Sequence, residues 1–204
     1  MPSSAVFHLN GGTMDKADFT LYLGGTSSGK SMKAEEQVSQ QAEGPVLYAA
    51  TARKSDDPAM CERIRRHRLP RPYTWLTLEC PRHPAAAISK AVKTLPKEEL
   101  SQTPTILLDC VTLWVTNILL DQPEPLDFAG FLDAVRKEAE ELLAVMKSSS
   151  WRWILVSGEV GLGGIAQDAL SRAFADGLGM ANQLLAKAAD RVFLVVAGRL
   201  LPLA

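Results

Sequence analysis

Cysteine is scarce in this sequence: three among 204 residues, Cys61, Cys80 and Cys110, lie far apart. An odd number without short spacings excludes a disulfide framework and a thiolate metal site, and it points to a reducing, cytoplasmic setting. Apolar runs of membrane-spanning length are missing, so no membrane span is expected. An excess of either charge is missing too. The 22 Lys and Arg against 23 Asp and Glu leave a net charge of −1, with no global reason to expect a nucleic-acid partner. Internal repeats and low-complexity tracts are absent. Residues 1–20 lack the charged-then-apolar layout of a signal peptide and read as a short N-terminal extension, with Met14 as an alternative start.

What remains suits a globular core: 47% of the residues are hydrophobic and 22% charged. The length suggests a single domain over residues 21–204. Its centre is Leu21 to Ser31, LYLGGTSSGKS. A short apolar run precedes Gly24, Gly25, Thr26, Ser27, Ser28, Gly29, Lys30 and Ser31, and a helical pattern follows. The spacing G-x-x-x-x-G-K-[ST] is that of a phosphate loop in its proper context. Glycines let backbone amides close around a phosphate, and a helix N-terminus adds its positive end. Lys30 would meet the outer phosphates, and the Ser31 hydroxyl suits a magnesium ion.

Further apolar runs read as buried strands: Val46–Ala50, Thr105–Cys110, Trp151–Ser157 and, last, Arg191–Ala197. Tyr73–Leu78 alternates and is a candidate strand. Helical patterns cover Lys30–Gln41, the basic Ala59–Leu69, Pro84–Thr94, Thr112–Leu120, Asp127–Lys147 and Asp168–Ala189. Strands without polar alternation, separated by helices, predict an α/β fold: a three-layer, mostly parallel sheet of the phosphate-loop nucleotide-hydrolase type. Ligands of such sheets bind at the carboxyl ends of the strands. The loop, Thr51, Asp109 and Glu159 all follow strands and are expected to converge.

Several side chains could carry chemistry. Asp109 closes an apolar strand, as a magnesium carboxylate does in phosphate-loop enzymes, and it also suits a helix N-cap. Glu159 could act in the same way or be a solvated loop carboxylate. Arg63, Arg65, Arg66, His67, Arg68 and Arg71 form the densest basic run. Such a run is a solvated face, a nucleic-acid patch, or a histidine nucleophile held among phosphate-binding arginines, which disfavour the imidazolium and leave a ring nitrogen free to attack. His8 and His83 receive no role.

Four blocks make the chain resemble the bifunctional adenosylcobinamide kinase / adenosylcobinamide-phosphate guanylyltransferase family of cobalamin biosynthesis, over about residues 21 to 200. The first is the loop GGTSSGKS. The second is VLYAAT followed by MCERIRRHRLPRPYTWLTLEC, in which Met60, Arg63, Ile64, His67, Arg71, Pro72, Trp75, Thr77 and Glu79 match. The third is ILLDCVTLWVTNIL, with Asp109, Thr112, Thr116 and Asn117. The fourth runs from LVSGEVGLG to FLVVAG and includes Glu159, Gly161, Arg172, Asn182 and Gly198. The second block carries most of the resemblance, because phosphate loops are common.

The resemblance implies two reactions. A nucleoside triphosphate, ATP or GTP, phosphorylates the aminopropanol hydroxyl of adenosylcobinamide. GMP from GTP is then joined to that phosphate, giving adenosylcobinamide-GDP and pyrophosphate, through a guanylylated histidine that falls on His67. It further implies a catalytic set of His67, Lys30 and Asp109, and a magnesium ion held by Ser31 and Asp109. Nucleotide and phosphate binding falls to the loop from Gly24 to Ser31 together with Arg63, Arg71, Glu79 and Asp109, with Arg63 or Arg71 stabilising charge at the α-phosphorus. It also implies a homo-oligomer, a trimer. The chain departs from the pattern at Ser27 and at Ala169, Ala175 and Met180, where arginines are usual. Gly158 replaces an asparagine, Gly163-Gly164-Ile165-Ala166 replaces Gly-Ile-Val-Pro, and Pro58-Ala59 breaks an acidic step. A single-activity small-molecule kinase and a nucleotide-binding regulatory protein are the alternatives. Neither explains the second block.

Overall fold

The computed structural model describes residues 18–54, 57–68 and 71–203, apart from the side chains of Met60, Arg63 and His67. The expectations for residues 1–17, including His8 and Met14, lie outside the described residues. The chain order is β1 Phe19–Gly24, α1 Lys30–Gln41, β2 Val46–Ala50, α2 Pro58–Arg68, β3 Leu76–Glu79, α3 Pro84–Lys93, β4 Thr105–Asp109, α4 Val111–Leu120, α5 Phe128–Ser148, β5 Arg152–Gly158, α6 Ala169–Ala188, β6 Arg191–Val196 and β7 Arg199–Pro202. Short 3-10 turns occupy Glu99–Ser101 and Gly161–Gly163. Among the described residues, no helix is long and apolar enough to cross a membrane.

One sheet runs β3-β2-β4-β5-β1-β6-β7, parallel throughout except for the β6–β7 pair. The period of two along each strand sends alternate residues to opposite faces. Leu21, Leu23, Leu47, Ala49, Ile106, Leu108, Trp153 and Leu155 join a core with residues of α3, α4, α5 and α6. Tyr22, Val46, Tyr48, Leu107, Ile154 and Val156 join a smaller core with Ala34 and Val38 of α1. The result is the expected three-layer arrangement, with strands apolar on both faces because both are covered.

Helix starts follow local chemistry. Asp127 caps α5 by accepting from the Gly130 amide at 3.0 Å, and Asp168 caps α6 by accepting from the Ser171 amide at 2.8 Å. Three features depart from the sequence expectation by more than one residue. The first strand begins at Phe19 rather than Leu21. Tyr73 is outside β3, because a turn closed by the Trp75 amide on the Pro72 carbonyl (3.1 Å) precedes the strand. A seventh strand, β7, was not expected at all. Ala197 and Gly198, at φ 49° and 71°, reverse the chain in two residues, and Arg199–Pro202 returns along β6 as an edge. Pro202 is tolerated there because an edge strand needs no ladder donor on its open side.

One buried carboxylate ties the helical layer together. Glu138 on α5 is 3% exposed and accepts from Arg82 Nε (2.9 Å), Trp114 Nε1 (2.7 Å) and the His83 amide (3.0 Å). Burial pushes this carboxyl up, but the hydrogen bonds from Arg82, Trp114 and His83 outweigh burial and hold it below the usual range. Glu138→Ala leaves Arg82 Nε and the Trp114 indole N–H without their acceptor, with Asp121 still paired to Arg82 Nη1, and should cost about 3 kcal/mol in urea unfolding. A carboxyl lowered on folding stabilises above its unfolded value, and that contribution is lost as the pH falls through the folded value. The gap between wild type and Glu138→Ala should therefore be complete at neutral pH and narrow below about pH 4.

Candidate active site

The loop between β1 and α1 is shaped by close approaches. A Cβ on Gly24 would lie 2.6 Å from the Val195 carbonyl oxygen, so the strand end admits only glycine. Gly29 enters α1 at φ 94°, the left-handed region that glycine adopts without strain. Neighbouring strands brace the loop. The Glu159 amide donates to the Gly24 carbonyl at 3.0 Å, and the Gly198 amide in the β6–β7 turn donates to the Ser28 carbonyl at 2.8 Å. Lys30 Nζ bends back to the Gly25 carbonyl at 3.0 Å, which places the ammonium over the loop.

Asp109 at the end of β4 meets this loop. Its Oδ1 accepts from Ser31 Oγ at 3.3 Å, and its Oδ2 accepts from the Tyr48 hydroxyl at 2.6 Å. Period two explains the pointing: Leu107 faces the α1 side, so Asp109 does as well. Cys110, not Asp109, holds the N-cap position of α4. Burial, and next the Asp109 carboxylate, push the Tyr48 hydroxyl far up, so it stays a donor. Thr51 locks the adjacent strand ends together: its Oγ1 donates to the Cys110 carbonyl at 2.6 Å and accepts from the Cys110 amide at 2.8 Å.

These groups open into a cleft of about 910 Å³, lined by Gly24, Thr26, Lys30, Ser31, Asp109 and Glu159 among others. Cys61, Ile64, Arg65 and Arg68 of α2 form one wall, with Arg71 beyond the helix end. A second cavity of about 560 Å³ lies on the other side of Lys30 and Ser31, between the loop (Ser27 to Gly29) and Ala59, Glu62 and Arg66 of α2. Helix α2 thus borders both spaces, and Lys30 and Ser31 are shared by them. No group of three His, Cys, Asp or Glu among the described residues could hold a metal, so hydroxyl and carboxylate oxygens at Ser31 and Asp109 are what the loop offers a cation. One or two protein oxygens, with water and phosphate completing the shell, is the way magnesium is bound beside nucleotides.

Most of the residues singled out in the sequence converge. Gly24, Thr26, Lys30, Ser31, Arg71, Glu79, Asp109 and Glu159 line the same cleft, whereas Ser27, Ser28 and Gly29 face the second cavity and Thr51 is buried behind the site. Glu79 also accepts from Arg68 Nη2 at 2.7 Å. Glu159 folds onto its own loop, accepting from the Gly161 amide at 2.6 Å, which is the local role a loop carboxylate takes. Arg63 and His67 sit on α2, and their side chains lie outside the described residues. Tyr48, Glu35 and Arg53 were missed. Glu35 lies one helical turn beyond Ser31, a spacing that could have flagged it. Burial raises its carboxyl to about 7, against the lowering effect of Arg71.

Residues 20–203 match the family described as cobinamide kinase / cobinamide phosphate guanyltransferase. The chain belongs to that family. Its activities are therefore those of a cobinamide kinase and cobinamide phosphate guanylyltransferase in cobalamin biosynthesis. It is similar to the bifunctional adenosylcobalamin biosynthesis protein CobU of Salmonella typhimurium, 39% identical over 183 residues that cover 87% of this chain and 95% of the relative. It is also similar to CobP of Pseudomonas aeruginosa, 39% identical over 184 residues covering 90% and 95%. Among solved structures, a DnaB-like replicative helicase superposes with a TM-score of 0.53 at 9% identity, covering 87% of this chain and 46% of that one. A protein of Pyrococcus horikoshii gives 0.52 at 6% identity, covering 93% and 87%. At such identity these two speak for the fold alone, and they agree with the phosphate-loop α/β class.

Proposed function

We propose that this family member phosphorylates the aminopropanol hydroxyl of adenosylcobinamide and then guanylylates the product through His67, with both reactions served by the one phosphate loop. The observation that carries the reading is the meeting of Ser31, Asp109 and Lys30 at the junction of two cavities bordered by α2. In the first reaction the substrate hydroxyl attacks the γ-phosphorus of ATP or GTP, and the bond to the β-phosphate oxygen breaks. In the second, a His67 ring nitrogen attacks the α-phosphorus of GTP and pyrophosphate leaves. An oxygen of adenosylcobinamide phosphate then displaces the histidine, giving adenosylcobinamide-GDP.

The chain's own groups divide this work. Loop amides from Gly24 to Ser31 and the Lys30 ammonium hold the donor phosphates. Ser31 and Asp109 would hold a magnesium ion, which neutralises phosphate charge when bound. Arg63, Arg71 and Glu79 complete the nucleotide and phosphate contacts. The basic wall of α2 suits polyanionic ligands, and the apolar Ala50, Ile64, Leu113 and Val160 suit a large organic acceptor. The chain from β1 onward, beginning at Phe19 rather than at residue 21, acts as one domain, in a cytoplasmic setting. A homo-oligomer, a trimer on the family resemblance, is supported by exposed Leu162, Ile165, Leu200 and Leu201.

The test supplies adenosylcobinamide with ATP or GTP and magnesium and follows the corrinoid by mass. Adenosylcobinamide phosphate should appear first and adenosylcobinamide-GDP second, the latter only with GTP and with one pyrophosphate per product. A protein that binds nucleotide yet phosphorylates no corrinoid would overturn the reading.

A further inference from the structure

One cation in the cleft is buried in advance of any ligand. The Arg71 side chain is only 9% exposed, and its Nε and Nη1 are buried without a hydrogen-bond partner. Its guanidinium carbon lies 3.3 Å from the centroid of the Tyr48 ring, and Glu35 Oε1 approaches Nε no closer than 3.7 Å. Burying a guanidinium with open N–H groups is costly, so the arrangement must be held from outside. The Tyr48 ring does much of this. Its face carries the cation, its hydroxyl is anchored on Asp109 at 2.6 Å, and Trp75 stacks on it at 6.5 Å.

We propose that Arg71 is the seat of a phosphate monoester group, separate from the donor phosphates on the loop, and that Tyr48 and Glu35 are the positioning residues that hold its guanidinium there. The guanidinium lines the cleft, and a planar array of donors fits a tetrahedral oxyanion. The cleft lining carries Lys30, Arg53, Lys54, Arg65, Arg68 and Arg71 against Glu79, Asp109 and Glu159, and although Asp121, Glu62 and Glu79 engage Arg53, Arg65 and Arg68, the balance favours an anion. Glu35 balances the guanidinium at ion-pair distance, 3.7 Å from Nε, without closing a hydrogen bond on it. Tyr48 bonds the carboxylate beside Ser31, so the seat is registered to the centre where the donor phosphates would lie. On the function proposed above, the monoester is adenosylcobinamide phosphate. That identity rests on the proposed function, whereas the seat does not.

The experiment uses the full chain with its loop filled by a non-hydrolysable ATP analogue and magnesium, titrated with inorganic phosphate and with methyl phosphate in a calorimeter. One anion should bind beside the nucleotide. Arg71→Lys keeps the charge but loses the fork, and Tyr48→Leu loses the ring; each should weaken the anion by about tenfold or more. Tyr48→Phe keeps the ring and should leave the anion affinity within about twofold. In turnover, Arg71→Lys should raise KM for the corrinoid phosphate by a larger factor than KM for GTP. Anion binding that disappears once the loop is filled, or that persists at wild-type strength in folded Arg71→Lys, overturns the seat. Anion binding that obeys these variants in a protein with no corrinoid turnover upholds the seat and removes only the identity of its occupant.

Discussion

Incubated with α-labelled GTP and magnesium, the wild-type protein should gain the mass of one guanylyl group, and His67→Ala should gain none. The adduct should be acid-labile and alkali-stable, as a phosphoramidate is. Loss of the nucleophile removes a covalent step rather than a contact, so guanylyl transfer should fall by about 10⁴-fold or more. Phosphorylation of adenosylcobinamide has no use for that nitrogen and should persist in the variant within about tenfold. The helix argues for a separable effect. Its described side chains are largely exposed, and its ion pairs join Glu62 to Arg65 and Arg66 within the helix and Arg68 to Glu79. Replacing one residue on such a helix does not disturb the core. Persistence of the adduct in His67→Ala would move the nucleophile outside the basic run, whose other members are arginines.

Asp109→Asn should behave differently and abolish both reactions. Its Oδ1 lies 3.3 Å from Ser31 Oγ and its Oδ2 takes the Tyr48 hydroxyl, so one carboxylate serves the cation seat and the ring that carries Arg71. The amide keeps the shape but supplies neither the charge nor two acceptor oxygens. A loss of several kcal/mol in the transition state corresponds to about 10²- to 10⁴-fold in each activity. Thermal unfolding should change little, because the site is at the strand end and not in either core. Raised magnesium should restore part of the activity in this variant and none of the guanylylation in His67→Ala. An Asp109→Asn protein that retained one activity in full would show that the two reactions do not share the centre.

The contrast between these variants follows how far each residue's role was legible. The loop from Gly24 to Ser31 is a local device. Its function lies in eight consecutive residues, and the structure places them between β1 and α1 as their spacing requires. Asp109 could be read as a metal carboxylate or a helix cap from its position alone. Cys110 holds the N-cap position of α4, which removes the cap reading, and the bonds of Asp109 to Ser31 and Tyr48 support the proposed metal role. Tyr48 stood inside an apolar run and looked like core, which on one side it is. Its polar end matters only because β4 lies next to β2 and delivers a carboxylate to its hydroxyl.

Periodicity, turn residues and the loop spacing were enough for the α/β class, most element boundaries to within a residue, and the position of the loop between β1 and α1, since each depends on residues within a turn or a strand of one another. The strand order was not accessible in that way: β5 enters between β4 and β1, and β7 closes the edge through a two-residue reversal with no strong turn signature. Nor was the Tyr48, Arg71 and Glu35 cluster, whose members come from β2, the segment after α2, and α1. Local pattern reports which face of an element is apolar. Which distant polar group meets it is decided only when the layers pack, because that contact is set by the sheet order and register and by nothing in the neighbouring sequence.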